Sequence, residues 1–242
     1  MMPVYVISLP EAHERRTAMR GRLDALGIPF EFFDAVDGRG HLVAGPPGVV
    51  IDRQSELPET QFACAVSHFH LAERIGAGSS DMALVLEDDA ILSPQLPEIL
   101  ASAASVPFDI LKLEGIARSN RPFLSRGAIG QSVLRVYSYV SMGTAGYVLT
   151  RKAAKRLLAS IHVIDDAIDE LLSKSKLDIV EVYPYPVAQD GSPTHQSRTP
   201  ERPNFSRRMR NNFSRRARII ELYGWLDYLA MERQKLFSGV DR

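Results

Sequence analysis

The chain has 242 residues, 45% of them hydrophobic and 24% charged, and its 29 basic and 29 acidic residues give a formal net charge of zero. This composition is that of an ordinary globular protein, and the neutral balance excludes nucleic-acid binding by bulk charge. The single cysteine, Cys64, excludes an internal disulfide, and no apolar run is long enough to span a bilayer. We therefore expect a cytoplasmic protein, attached at most to a membrane face.

The first half of the chain predicts alternating strands and helices. Short apolar runs rich in β-branched residues predict strands, and apolar residues recurring every three to four positions predict helices. The predicted strands are Val4–Ile7, Ile28–Phe33 and Met82–Leu86. The predicted helices are Glu11–Leu26, Thr60–Ile75 and Pro94–Ala104. Between Gly38 and Pro58, glycines and prolines without periodicity predict a long loop.

The second half continues the alternation. The predicted strands are Phe108–Leu113, Val133–Val140, Ala145–Leu149 and Leu177–Val182. The predicted helices are Lys152–Ser160 and Val163–Leu172. The polar, basic and glycine-bearing stretch Gly115–Gly130 predicts a mobile loop over a site. Strands that alternate with helices predict an α/β sandwich with a mixed, mainly parallel sheet.

The end of the chain differs in composition, which predicts a main domain over 1–195 and a basic helical segment over 196–242. Residues 198–218 contain about eight arginines against one acid, with apolar residues at i, i+4 spacing. Such a helix either packs its apolar side on the domain or lies on an anionic membrane, such as the cytoplasmic face of the inner membrane. The following stretch, Ile219–Leu229, predicts a further packed helix.

Three consecutive carboxylates, Glu87, Asp88 and Asp89, follow the predicted buried strand Met82–Leu86. Neighbouring like charges repel one another, so the cluster is costly unless water or a cation compensates it. Mg²⁺ and Mn²⁺ prefer carboxylate oxygens, and ligands of open α/β sheets bind beyond the carboxyl ends of the strands. Taken alone, the run is either a solvated acidic turn or a metal site.

Several motifs in one order resemble a known enzyme family. They are Val4-Tyr5-Val6-Ile7-Ser8-Leu9, Arg15-Arg16, Phe33-Asp34-Ala35-Val36-Asp37-Gly38, Cys64-Ala65-Val66-Ser67-His68, Leu84-Val85-Leu86-Glu87-Asp88-Asp89 and Gly143-Thr144-Ala145-Gly146-Tyr147-Val148-Leu149-Thr150. The series, over about residues 3 to 192, resembles glycosyltransferase family 25 of the lipooligosaccharide galactosyltransferase type. Each motif alone is weak, and their order and spacing together carry the resemblance.

The resemblance implies a GT-A-like, Rossmann-like nucleotide-sugar-binding fold and transfer of a hexose from a UDP-sugar, with galactose favoured. The acceptor would be lipooligosaccharide, lipopolysaccharide or another cell-surface glycan. An acidic motif of the DXD type implies Mn²⁺ or Mg²⁺, with Asp89 and Glu87 as metal ligands. The implied donor-binding residues are Ser8, Leu9, Arg15, Arg16, Ala35, Asp37, Ser67, Glu87 and Asp88.

Some of these residues also have a purely structural interpretation. A guanidinium at Arg15 or Arg16 can clamp a phosphate, but either arginine can equally lie on a solvated helix face. Asp37 can accept hydrogen bonds from uracil or ribose, or can form a turn before Gly38. His68 can contact the diphosphate or the acceptor, or can be a hydrogen-bonded core residue.

Inversion at the sugar carbon, which the resemblance implies, requires a general base on the acceptor side. Asp165 and Asp166 are the candidates, and Asp169 shares a helical face with Asp165. The alternative is an acidic helix start, because carboxylates stabilise helix N-termini.

One departure from the family pattern keeps a second hypothesis open. Where relatives read Gly-Glu-(apolar)-Gly before the cysteine, this chain reads Thr60-Gln61-Phe62-Ala63. Loss of the carboxylate at Gln61 gives weight to a non-catalytic, sugar-nucleotide-binding protein. A metal-dependent phosphohydrolase is a third alternative, but the sequence offers no second set of His and Asp ligands for it.

Overall fold

The computed structural model describes residues 2–39, 44–115, 122–137, 140–190 and 219–237. Its helices are α1 (His13–Ala25), α2 (Glu59–Ala77), α3 (Leu96–Ser102), α4 (Arg151–Ser160), α5 (Ile168–Lys174) and α6 (Trp225–Phe237). Its strands are β1 (Val4–Ser8), β2 (Glu31–Asp34), β3 (Val50–Ile51), β4 (Met82–Glu87), β5 (Ala90–Leu92), β6 (Ile110–Lys112), β7 (Phe123–Ile129), β8 (Ser132–Tyr137), β9 (Gly146–Thr150), β10 (Val163–Ile164), β11 (Ile179–Tyr183) and β12 (Val187–Gln189).

Eight of the described strands form one mixed sheet in the order β2-β1-β4-β9-β6-β11-β8-β7. Strand β1 pairs in parallel with β2 and β4, and β6 pairs in parallel with β11. Strand β9 is antiparallel to both β4 and β6, and β8 is antiparallel to both β11 and β7. Strands β9 and β8 therefore run against the other six, which confirms the predicted mixed, mainly parallel sheet.

Helices cover both faces of this sheet, which confirms the predicted α/β/α sandwich. Because side chains alternate along a strand, Tyr5 and Ile7 point to the face covered by α2, α4 and α5. Val4 and Val6 point to the opposite face, which α1, α3 and α6 cover. Burial on both faces explains why the central strands read as continuous apolar runs in the sequence.

The prediction of a loop over Gly115–Gly130 is wrong for its second part, because Phe123–Ile129 forms the edge strand β7. The pairing of β7 with β8 shifts register between Ser125 and Ala128, and Gly127 has a φ of 100°. A bulge of this kind interrupts the alternation that identifies a strand in a sequence. Residues 116–121 lie outside the described part of the chain.

Two other predictions need correction. The segment predicted as one helix, Val163–Leu172, contains the short strand β10 and then α5. The long loop predicted between Gly38 and Pro58 contains β3, which pairs in parallel with β10. Both strands have only two residues, too few for any periodicity to show.

The C-terminal part of the described chain packs on the domain. Ile219 and Met231 are fully buried on the α1–α3 face, and the Gln234 side chain hydrogen-bonds both backbone groups of Phe123 at 3.0 Å. The predicted helix is confirmed, and Gly224, at a φ of 89°, separates a helical turn at 219–223 from α6. The basic run 198–218 lies outside the described residues.

None of the helices in the described ranges combines the length and apolar character needed to cross a bilayer.

The chain direction of β9 brings four chain segments to one edge of the sheet. Because β9 is antiparallel to its neighbours, its first residues lie beside the carboxyl ends of β4 and β6. The Glu87 N–H donates to the Ala145 carbonyl, and the Leu113 N–H donates to the Gly146 carbonyl, both at 3.0 Å. The carboxyl end of β1 adjoins that of β4, with Ile7 opposite Glu87. Side chains that follow these strands therefore converge at this edge.

Candidate functional site

Glu87, the last residue of β4, lies at the centre of this edge and is held from two sides. Its Oε1 accepts a hydrogen bond from Thr144 Oγ1 at 2.5 Å and lies 3.3 Å from His68 Nε2. Burial raises the pKa of Glu87, but the hydrogen bond and charge of His68, the hydrogen bond from Thr144 and the charge of Lys112 outweigh it and lower the pKa below its usual value. These contacts therefore favour the ionised form of Glu87.

His68, on α2, connects Glu87 to the strand behind it. Its ring is 2% exposed, and Nδ1 lies 2.8 Å from the Tyr147 hydroxyl. Its Nε2 faces Glu87 Oε1, so each ring nitrogen has a hydrogen-bond partner. Both ring nitrogens are thus engaged within the protein, so His68 orients Glu87.

Asp88 is joined to two of the predicted donor-binding residues. Ser8 Oγ donates to Asp88 Oδ2 at 2.7 Å, and Arg15 Nη1 donates to Oδ1 at 3.1 Å. Ser8 is buried, whereas the Arg15 side chain keeps 37% of its surface exposed. Arg15 therefore lies partly exposed at the ends of β1 and β4.

Asp89 has a buried oxygen that no described group satisfies. The residue is 6% exposed, and Gln189 Nε2 donates to its Oδ2 at 3.0 Å. Its Oδ1 is buried without a hydrogen-bond partner among the described residues. Burial, with the neighbouring charge of Glu87, raises the pKa of Asp89 to about 6. An unpaired buried carboxylate oxygen beside other carboxylates has the chemistry of a ligand for a hard divalent cation.

Four other predicted donor-binding residues shape the loops at this edge. Arg16 Nη2 donates to the Ser8 carbonyl at 2.8 Å, and Arg16 Nε donates to the Leu9 carbonyl at 3.1 Å. The Ala35 N–H also donates to the Ser8 carbonyl, at 2.9 Å, and Ser67 Oγ accepts a backbone N–H from the loop after β2 at 2.9 Å. These contacts fix the chain that follows β1 and β2.

Asp37 lies further out on the loop after β2. Its Oδ1 accepts hydrogen bonds from the backbone N–H and the Nε of Arg39, at 3.0 and 2.9 Å. The Asp37 side chain is one-third exposed. This pairing is compatible with both interpretations of Asp37, a turn former and a contact for a nucleoside.

The three aspartates considered as general bases have different partners in the structure. Asp165 and Asp166, between β10 and α5, lie 3.5 and 3.1 Å from Lys174 Nζ. Asp169, in the first turn of α5, instead accepts a hydrogen bond from the Gly143 N–H at 3.2 Å. Its charge also contributes to raising the pKa of the Cys64 thiol, which burial raises most. Of the three aspartates, Asp169 is the one with a described contact to the chain that carries Thr144.

A buried lysine and a buried glutamate, which the sequence analysis missed, hold the same chain segment. Lys112 Nζ donates to the carbonyls of Ser141, at 2.7 Å, and Gly143. Glu181 Oε1 accepts the Ser141 N–H at 2.8 Å, and its Oε2 accepts hydroxyl hydrogen bonds from Ser141 and Tyr185. Lys112 and Glu181 are register partners on β6 and β11. We call this pair the Lys112–Glu181 clamp. Its signal in the sequence was a charged residue inside each of two otherwise apolar strands.

Glu114, two residues after β6, is a second carboxylate that the sequence analysis missed. It is 5% exposed, and its Oε2 is buried without a hydrogen-bond partner among the described residues. Burial raises the pKa of Glu114 to about 7, although the charge of Lys112 acts in the opposite direction. Gly143 packs directly on this carboxylate: a Cβ at Gly143 would overlap both Glu114 oxygens.

The sequence of this chain matches one protein family over most of its length. Glycosyltransferase family 25 (LPS biosynthesis protein) matches residues 1–172. The matched region includes β1, β4, β9 and the start of α5, and therefore all of the carboxylates described above except Glu181.

Named relatives agree with this match. A glycosyltransferase 25 family member from Aedes aegypti is 31% identical over 169 residues, which are 64% of this chain and 27% of the relative. The lipooligosaccharide biosynthesis protein lic2B of Haemophilus influenzae is 28% identical, over 65% of this chain and 62% of the relative. The lacto-N-neotetraose biosynthesis glycosyltransferase LgtB of Neisseria gonorrhoeae is 29% identical, over 67% and 62%. The chain thus spans about a quarter of the mosquito relative and under two thirds of the two bacterial ones.

Solved structures with similarity to this chain are more distant. A glycosyltransferase involved in the glycosylation of the major capsid of PBCV-1 covers 65% of the chain at 10% identity and a TM-score of 0.35. The inositol-1-phosphate CTP transferase from T. maritima covers 91% of the chain at 15% identity and a TM-score of 0.40. Because both TM-scores are below 0.5, the assignment of the chain rests on the sequence match.

The contact between Gly143 and Glu114 predicts the effect of adding one methyl group. Gly143 has a φ of 94°, and Gly127 has a φ of 100° but open space where a Cβ would lie. We expect Gly127→Ala to lose about 1 kcal/mol of stability from backbone strain alone. Gly143→Ala should lose a further ~1–3 kcal/mol from overlap with Glu114. Urea unfolding of both variants measures the difference, and equal losses would contradict the close packing described here.

Proposed function

Because this chain belongs to glycosyltransferase family 25, we propose that it is a glycosyltransferase that transfers a hexose from a UDP-sugar to a cell-surface glycan. Galactose is the proposed sugar, and a lipooligosaccharide or lipopolysaccharide core is the proposed acceptor. The names of the bacterial relatives, which refer to lipooligosaccharide and lacto-N-neotetraose biosynthesis, support this choice of acceptor. UDP-galactose and UDP-glucose differ in one hydroxyl orientation, so the test below includes both.

The observation that carries the proposal is the buried Oδ1 of Asp89, at the carboxyl edge of the sheet, which has no partner among the described residues. The proposed Mn²⁺ or Mg²⁺ would be held by Asp89 together with Glu87, whose pKa is lowered. Such a cation would supply positive charge that stabilises the negative charge of a UDP leaving group. Gln189 leaves Asp89 Oδ1 free because it donates only to Oδ2.

The residues after β1 and β2 are the proposed donor-binding surface. The Arg15 side chain is 37% exposed while one of its guanidinium nitrogens holds Asp88, and its other N–H groups are proposed to contact a phosphate oxygen. Backbone and side-chain contacts fix the loops that form this surface. The residues that make these contacts are Ser8, Leu9, Ala35 and Ser67. Asp37 is placed to accept hydrogen bonds from the nucleoside.

We further propose that transfer inverts the sugar carbon, with a carboxylate of the segment between β10 and the first turn of α5 as general base. A base on that side removes the acceptor hydroxyl proton while the acceptor oxygen attacks the sugar carbon. Asp169 is the favoured member of the predicted group, because it contacts Gly143 beside Thr144 and Glu87. Asp165 and Asp166 are paired with Lys174, which holds them at the start of α5.

Contact with an anionic membrane surface is a second part of the proposal. Helix α6 exposes three large apolar side chains, Trp225, Leu226 and Leu229, at 64%, 83% and 54%. The arginine-rich stretch 198–218 precedes this helix in the sequence. Exposed apolar side chains next to a basic run are typical of proteins that bind the surface of anionic membranes.

The metal-site proposal predicts the outcome of Asp89→Asn, which keeps the side-chain shape and removes the charge. We expect Mn²⁺-dependent UDP release from the preferred donor to fall by ~100-fold or more, comparable to losing one group that stabilises developing charge. The assay compares UDP-galactose, UDP-glucose and the N-acetyl sugars. Asp81→Asn is the matched control, because Asp81 lies at the opposite end of β4 with its side chain 87% exposed.

Wild-type turnover by Asp89→Asn would refute the metal assignment. Binding of UDP-sugars without any UDP release by the wild-type protein would favour the alternative, a non-catalytic sugar-nucleotide-binding protein.

The membrane proposal predicts a defect for Leu226→Glu in vesicle binding. We expect the wild-type chain to sediment with vesicles containing phosphatidylglycerol and much less with pure phosphatidylcholine. Leu226→Glu should weaken sedimentation several-fold, whereas Val50→Glu, at another exposed apolar site (62% exposed), should not. Equal behaviour of the two variants, or no preference for anionic vesicles, would contradict the proposal.

A further inference from the structure

The carboxylate of Glu114 is buried and incompletely satisfied, which distinguishes it from the other buried glutamate of the site. Glu181 is 1% exposed, and both of its oxygens accept hydrogen bonds, from Ser141 and Tyr185. Glu114 is 5% exposed, receives a backbone hydrogen bond from Ala145, and leaves Oε2 without a partner in the described chain. Leaving a buried carboxylate oxygen unpaired is costly, so such an oxygen in an active site indicates a missing hydrogen-bond donor.

The groups around Glu114 limit what that donor can be. The charges of Glu87 and Asp169 act on Glu114 and raise its pKa, so the surroundings are already negative. A phosphate or an acidic ligand group would add repulsion, whereas a neutral hydroxyl donates a hydrogen bond without adding charge. Lys112, whose charge acts on Glu114, donates its hydrogen bonds to the carbonyls of Ser141 and Gly143.

The position of Glu114 places it beside the donor half of the site. Gly143 packs on its carboxylate, and the next residue, Thr144, donates to Glu87. Glu87 is the residue with which Asp89 would hold the cation on the UDP diphosphate. The hexose attached to that diphosphate would lie next to Glu87 and the neighbouring Glu114, and its ring offers several hydroxyl donors.

We propose that Glu114 Oε2 accepts a hydrogen bond from one hydroxyl of the transferred hexose and so contributes to the selection of the donor sugar. This inference rests on the proposed function, because it takes the ligand at this edge to be a UDP-hexose. The absence of a Cβ at Gly143 keeps the Glu114 carboxylate in place for this contact. In this proposal Glu114 hydrogen-bonds to the sugar, whereas Glu181 holds the chain segment 141–144.

The test is a comparison of wild-type protein and Glu114→Gln with the preferred UDP-hexose and its monodeoxy analogues. Each analogue lacks one ring hydroxyl, and kcat/KM for UDP release is measured for every pair. A hydrogen bond to a charged acceptor corresponds to about 10- to 100-fold in kcat/KM. We expect the wild type to lose about that factor with one analogue, and Glu114→Gln to lose it with the parent donor but to show little further loss with the same analogue.

Two additional measurements separate this role from a structural or metal-binding one. Glu114→Gln removes a carboxylate whose pKa is raised, and such a group lowers stability as the pH rises above its unfolded pKa toward 7. The variant should therefore be at least as stable as wild type to urea at pH 8, whereas Glu181→Gln should be less stable. The affinity for Mn²⁺ should be unchanged in Glu114→Gln.

Unchanged discrimination among the analogues by Glu114→Gln would overturn the inference and leave the proposed function intact. A tenfold or greater loss of Mn²⁺ affinity would overturn it in favour of a metal ligand. If the wild type releases UDP from no UDP-hexose, the proposed function fails and this inference fails with it. Should Glu114→Gln not fold, Glu114→Asp, which withdraws the carboxylate by one methylene, is measured with the same donors and must show the same selective loss.

Discussion

Repulsion among carboxylates gathered at one edge of the sheet is the constraint on which the rest of this site depends. Glu87 and Asp169 both act on Glu114, and Glu87 also raises the pKa of Asp89. Each carboxylate must be offset by a hydrogen bond, a cation or a ligand, because burial of an uncompensated charge is expensive. Described groups hydrogen-bond to Glu87 Oε1 and to both oxygens of Asp88, but they leave one buried oxygen each of Asp89 and Glu114 without a partner. Those two oxygens define what the site still requires from outside the chain: a cation at the first and a hydrogen-bond donor at the second.

The backbone of segment 141–144 is fixed by buried charged side chains and connects them to the carboxylates of the site. Lys112 and Glu181 come from neighbouring strands and hold the backbone of Ser141. The same segment reaches Glu87 through Thr144. Buried charged groups that are fully hydrogen-bonded can fix a single arrangement, whereas partly bonded ones are costly. Rigid placement of this segment sets the distance between the proposed metal ligands and the carboxylate proposed to contact the sugar.

The sequence predicted the fold well where periodicity is strong, and the site well where chemistry is concentrated in a short run. The β4 strand with Glu87, Asp88 and Asp89 was predicted from four apolar residues followed by three acids, and the structure places these acids at the edge that the strand rule requires. Glu114 and the Lys112–Glu181 clamp were missed because their role depends on which strands become neighbours, and β9 enters the sheet out of sequence order between β4 and β6. Strand β7 was missed because a bulge at Gly127 breaks its alternation. A local pattern can show a charged residue inside an apolar strand, but it does not show which strands become neighbours or where a bulge falls.

The central claim is that the carboxyl edge around Asp89 binds a divalent cation together with a nucleoside diphosphate. Electron paramagnetic resonance of free Mn²⁺, titrated into the full chain with and without UDP, tests it most directly. We expect one Mn²⁺ to bind per chain, and to bind more tightly when UDP is present, because the diphosphate would supply the remaining oxygen ligands. Failure of the chain to bind Mn²⁺ at any UDP concentration, or binding that UDP leaves unchanged, would contradict it.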